Sequence, residues 1–159
     1  ISDFHELLAK GSIQRAYRAL MDSLMGLRTH FEKSYPQHAI SALYQGYMDM
    51  SYFTFTPPSL QSHKLKIAIV FVYDKFRFEV WLSAANKHIQ AEYWELFLQS
   101  GWEKYSIVPS VKGYDSILEH VLVEQPDFGD PASLTRQIED GSLEFIRDVE
   151  AFLKTHRDR

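Results

Sequence analysis

The segment KLKIAIVFVYDKFRFEVWLS, Lys64 to Ser83, reads as a β-hairpin and sets the fold of this chain. Side chains of a strand alternate between faces, so Leu65, Ile67, Ile69, Phe71 and Tyr73 share one face of a first strand. Phe76, Phe78, Val80 and Leu82 share one face of a second. The opposite face is mixed, with Lys66, Ala68, Val70 and Val72 on one strand and Arg77, Glu79 and Trp81 on the other. One side of the hairpin is therefore expected to meet a core, while the other keeps polar groups. The turn near Asp74–Lys75 is not the preferred Asn-Gly type and leaves the register open.

Upstream of the hairpin, Ser2 or Asp3 is expected to cap a short helix ending at Gly11, and Ser12 to start a longer one. Ile13, Tyr17, Leu20, Leu24, Leu27 and Phe31 recur in steps of three and four, the period of one helix face. Pro36 stops that helix. Aromatic density before Pro57–Pro58 predicts a strand over Tyr47–Thr56, with Tyr47, Asp49, Ser51, Phe53 and Phe55 on one face and Met48, Met50, Tyr52 and Thr54 on the other. Downstream, Ser83 is expected to cap a helix from Ala84 to Ser100, closed by Gly101. Short strands follow at Lys104–Val108 and Ser116–Val123. The second of these also admits a helical reading, since Ile117, Leu118, Val121 and Leu122 fit either period. Asp130–Pro131 starts a helix, Gly141 is expected to break it, and Ser142 to cap a last one. The basic end KTHRDR suits a helix C-terminus, with fraying expected there. The expected fold is α+β, an antiparallel sheet of four to five strands with helices packed mainly on one face, in a single domain over residues 1–159.

Composition narrows the function classes. A chain of 159 residues can bury a core without staples, and aromatics at 14% of residues need an interior or a binding surface. The formal charge of −4 argues against a surface that coats nucleic acid. With no cysteine there is no disulfide framework, thiolate metal site or Cys nucleophile. No apolar run is long enough to span a bilayer. ISDFHELL lacks the basic-then-apolar layout of a secretory signal, so a cytoplasmic protein is the simplest expectation.

YQGYMDMSYFTFTP (Tyr44–Pro57), KLKIAIVF (Lys64–Phe71), FRFEVWLSAANKHIQAEYW (Phe76–Trp94) and GYDSILEH (Gly113–His120) together resemble an uncharacterised bacterial family of unknown function. The likeness runs from the long helix to the last one and carries over no functional residue. The element order is also similar to that of the restriction-endonuclease-like core. There, Glu79-Val80-Trp81 stands where a Glu-x-Lys is required, so the lysine is missing, and Asp49 lies on the first strand rather than the second. Lys66 is the neighbouring cation in that reading.

Two candidate constellations emerge. One is the polar sheet face, Arg77, Glu79 and Trp81 with Lys66 and Asp49, suited to orienting a ligand or holding a divalent cation through oxygen. The plain alternative is a hydrated face stitched by ion pairs. The other is Asn86-Lys87-His88 at a helix start, where free N–H groups suit phosphate or carboxylate. Because Trp81 and Ser83 lie just before it, the two are expected to form one pocket. The histidines show no HExxH spacing, although His120 near Asp115 is a candidate base. No G-x-S-x-G, P-loop or G-x-G-x-x-G occurs. No cofactor or metal-ligand set is named by any pattern. The leading expectation is a binding or interaction module with its site between the open sheet face and the helix at 84–100. Its rivals are a metal-dependent enzyme acting on anionic substrates such as phosphodiesters, and a homodimeric scaffold.

Overall fold

A computed structural model describes residues 1–157. Within them lie helices α1 (Ser2–Ala9), α2 (Ser12–Ser34), α3 (Pro58–Gln61), α4 (Lys87–Ser100) and α5 (Pro131–His156). The strands are β1 (Ala39–Ile40), β2 (Met50–Thr56), β3 (Leu65–Val72), β4 (Arg77–Ala84), β5 (Ser106–Ile107) and β6 (Leu118–Val123). They form one antiparallel sheet in the order β1-β2-β3-β4-β6-β5. The fold is α+β, with one strand more than expected. The extra strand is the two-residue edge pairing of Ala39 and Ile40 with Thr56 and Phe55, too short to leave a periodic trace.

The hairpin pairs in one register. Ile67 faces Leu82, Ile69 faces Val80 and Phe71 faces Phe78, all on the buried side. The turn is the four residues Tyr73–Phe76, closed by the Phe76 N–H donating to the Tyr73 carbonyl at 3.2 Å, with Phe76 at φ +51°. The core lies between this face and helices α2 and α5. Phe31 stacks on Phe55 at 4.6 Å, and Phe97 of α4 stacks on Phe152 of α5 at 4.2 Å. Each large apolar side chain buried in this way contributes about 1.5–3 kcal/mol.

Several local expectations are corrected. β2 begins at Met50 rather than Tyr47, because Gly46–Asp49 form a turn in which the Asp49 carboxylate accepts the Tyr47 N–H at 2.9 Å. Gly46 has φ +72°, and a Cβ there would lie 2.0 Å from the Met50 carbonyl oxygen, so only glycine fits. Ser83 does not cap α4. β4 continues to Ala84, paired with Leu65, and Asn86 is the cap, its side chain accepting the Ile89 N–H. The α1 cap position is Ile1, without a side-chain bond, and the strand expected at Lys104–Val108 shortens to Ser106–Ile107. Segment 118–123 is strand.

Gly141 does not break the last helix. α5 runs unbroken from Pro131, capped by Asp130, to His156. A Cβ at Gly141 would come within 2.6 Å of Leu122 Cδ2, so the missing side chain is where β6 packs on the helix. Of the basic tail, residues 158 and 159 lie outside the described residues.

Candidate functional site

The strand face turned away from α2 and α5 carries Met50, Tyr52 and Thr54 of β2, Lys66, Ala68 and Val70 of β3, and Arg77, Glu79, Trp81 and Ser83 of β4. Alternation puts them there, since each sits between two core-facing residues. At the end of this face where β3 starts and β4 ends, the first turn of α4 rises beside it. Between them lies a cavity of about 290 Å³ lined by Met50, Tyr52, Thr54, Lys66, Ala68, Trp81, Ser83, Ala84, Asn86, Lys87, Gln90 and Asp115.

Lys66, Trp81, Asn86 and Lys87, four of the seven residues singled out in the sequence, line this one cavity. Lys66 is exposed and makes no ion pair or hydrogen bond among the described residues. Lys87 Nζ donates to the carbonyls of Tyr114 at 2.6 Å and Val111 at 3.3 Å, so its charge meets neutral acceptors rather than a carboxylate. The Asn86 cap takes the N–H of Ile89, which leaves the N–H groups of Lys87 and His88 outside the helical ladder. Asp115 is the carboxylate in the lining.

Arg77 and Glu79 lie on the same face but form a separate unit. Glu79 is only 5% exposed. One of its carboxylate oxygens accepts from Arg77 Nε at 2.8 Å and the other from Trp81 Nε1 at 2.8 Å. Arg77 also reaches Glu124 at 3.0 Å. The hydrogen bond that Arg77 donates to Glu79 holds its pKa above the ordinary guanidinium value. Glu79 is thus an anchor that orients the Trp81 indole at the edge of the cavity. Glu119, paired opposite Trp81, has its carboxyl pushed up by burial despite accepting a hydrogen bond from Ser116.

Asp49 is not part of the constellation. It sits in the turn before β2, two strands from β4, roughly 10 Å from Glu79 by strand spacing alone. The Asp49 carboxylate is held by the Tyr47 N–H at 2.9 Å and that of Glu79 by Arg77 and Trp81, so each is tied to its own partners. Among the described residues no group of three or more His, Asp or Glu could hold a metal ion. His120 faces the helical side, where its ring packs 4.7 Å from Tyr105 and stacks with Phe145, and burial lowers its pKa. The sheet separates it from Asp115. Among the described residues no helix is long and apolar enough to cross a membrane.

Sequence reasoning missed Tyr52, Thr54, Gln90 and Asp115 as lining residues, while Ser83 was already expected beside the pocket. Strand alternation carried a signal for Tyr52 and Thr54, and helical spacing carried one for Gln90, three residues after Lys87. Gln90 is 3% exposed, and its amide nitrogen donates to the carbonyls of Tyr114 and Ser116, both at 2.9 Å. Two acceptors on that side fix the amide orientation and leave its oxygen without a protein donor among the described residues. Nothing local marks Asp115, which a loop brings in. Chemically, the cavity offers two cations, a helix start, an unpaired amide acceptor and the rings of Tyr52 and Trp81.

Residues 1–153 match the family model of a domain of unknown function (DUF7000). No curated protein and no solved structure matches the chain. The chain belongs to the DUF7000 family.

Proposed function

We propose that this member of the DUF7000 family is a binding module for a small anionic molecule with a flat face, held between the open sheet face and the start of α4. The observation that carries the reading is the meeting of Lys66, Trp81, Asn86 and Lys87 at one cavity, although they come from two strands and a helix start. Lys66 and Lys87, neither neutralised by an ion pair among the described residues, attract a phosphate or carboxylate, and the N–H groups at the start of α4 add donors. Tyr52 and Trp81 offer ring surface to a planar group, and the Gln90 oxygen accepts from a ligand N–H or O–H. Asp115 opposes a second negative charge, which favours a monoanion over a polyanion.

The test is a panel of small phosphates and carboxylates followed by ligand-observed NMR in the parent chain and both variants. Binding that weakens at least tenfold in both Trp81→Ala and Lys87→Ala supports the site. A ligand whose affinity is the same in both variants as in the parent chain places binding elsewhere and defeats the reading.

A further inference from the structure

We infer that the molecule has a second binding site of opposite chemistry, an apolar cavity of about 520 Å³ between α2 and the β3–β4 turn, which takes an uncharged, largely aromatic or aliphatic small molecule. Its walls come from segments far apart in the chain. Ile13, Ala16, Ala19 and Leu20 of α2 form one wall, and Met48, Phe76 and Phe128 form the other. No lining residue is charged. The polar groups are the hydroxyls of Tyr17, Ser23 and Tyr73. The Tyr73 hydroxyl is already bonded to Ser51 at 2.7 Å, and burial keeps it in its neutral form by raising its pKa.

Charge matching selects the occupant. An ion entering here gives up hydration and finds no counter-charge, whereas an uncharged ligand with one hydroxyl or carbonyl gives up little and finds a hydroxyl partner. The space is more than three times the ~150 Å³ apolar cavity that accepts benzene, which gives room for two or three rings. Phe76 is 54% exposed, but its ring packs edge-on against the buried Phe71 at 5.0 Å, and the half-buried Phe128 packs on Phe71 and Phe78 at 6.0 and 6.1 Å, so one wall of this open hollow rests on the core. The other wall is a helix pinned by the buried Leu24, Leu27 and Phe31. The hollow exists because α2 presents alanines at positions 16 and 19, where larger side chains would fill it.

The probe is N-phenyl-1-naphthylamine, an uncharged fluorophore of three aromatic rings that brightens out of water. The full chain is expected to bind it saturably, one per monomer, with an affinity that salt leaves unchanged. Ala19→Phe fills the hollow from an exposed helix position and is expected to weaken binding at least tenfold. Ser23→Leu, a smaller change, weakens it at least threefold and decides the matter should Ala19→Phe fail to show a cooperative melt. The Lys66→Ala, Lys87→Ala double variant binds the dye as the parent does, which keeps this site distinct from the polar one. Three results overturn the inference: no saturable signal with the parent chain, unchanged dye binding in a folded filled variant, or a parent dimer that Ala19→Phe dissociates. The last would show a second copy covering the cavity.

Discussion

At the scale of single residues, Glu79 is a carboxylate buried on the side of the sheet that the helices leave open. Burial of a charge is tolerated only with partners, and Arg77 and Trp81 supply them at 2.8 Å each. Arg77→Ala removes the cation and leaves the carboxylate stranded, with an expected loss of about 2–3 kcal/mol in urea unfolding. Adding Glu79→Gln to that variant removes the charge as well and should recover more than half of the loss. If the double variant is as unstable as Arg77→Ala alone, the two side chains are not coupled as their geometry implies. Trp81 is held by the same carboxylate, so Glu79→Leu, which removes the acceptor, also tests whether the anchor sets the indole's position, read as a shift in emission with Trp94 and Trp102 replaced by Phe.

At the scale of elements, the two helical glycines make opposite predictions. Gly26 of α2 has open space where a Cβ would go, whereas at Gly141 of α5 that Cβ would meet Leu122 at 2.6 Å. Gly26→Ala is expected to stabilise by about 0.5–1 kcal/mol through helix propensity and a stiffer unfolded chain. Gly141→Ala gains less, because Leu122 must move aside, and Gly141→Val is expected to cost about 1–3 kcal/mol by overpacking. Equal melting shifts for the two alanine variants would refute this account of Gly141. The start of α4 offers a third measurement. Asn86→Ala removes the bond to Ile89 N–H and should cost about 1 kcal/mol in thermal unfolding, whereas Ser83→Ala, in the body of β4, costs no cap.

For the molecule as a whole, the titrating groups set how stability depends on pH. Burial lowers the pKa of His38 and of His120 below the ordinary imidazole value. A depressed folded value means that the unfolded chain takes up the proton first, so stability is lost as pH falls below about 6.5. Burial raises Glu139 and Asp148, but hydrogen bonds outweigh it, from Tyr35 and His30 to the first and from Tyr105 and Lys104 to the second. Both carboxyls end below their ordinary values, and their contribution is lost at lower pH, as the solution passes through the folded values. Glu119 has the opposite sign: its raised value favours the folded state in acid and partly offsets the others. Melting temperature is therefore expected to hold between pH 7 and about 9, to fall above about 10 as the tyrosines of the unfolded chain ionise first, and to fall on the acid side in two stages, the first below about 6.5 and the second below about 4. His38→Gln should flatten the first stage and Glu139→Gln the second. A melting temperature that rises between pH 6.5 and 4 would contradict these assignments.

The sequence by itself determined the paired strands at Lys64–Ser83, the stripe of α2 and the Asp130–Pro131 helix start. Alternation, helical period and capping are consequences of covalent geometry acting over a few residues, so a few residues suffice to show them. The nearness of Trp81 to Asn86 and Lys87 belonged to the same local class. Only the tertiary structure decided that α5 passes through Gly141, that Asp49 is held in a turn away from Glu79, that Gln90 and Asp115 join the polar cavity, and that an apolar hollow lies beside α2. Each depends on which surfaces meet across tens of residues: Leu122 against Gly141, the 111–116 loop against α4, and Phe128 against the hairpin turn. Packing chooses among locally equivalent conformations by burial and close contact, and a linear pattern does not record where those contacts fall.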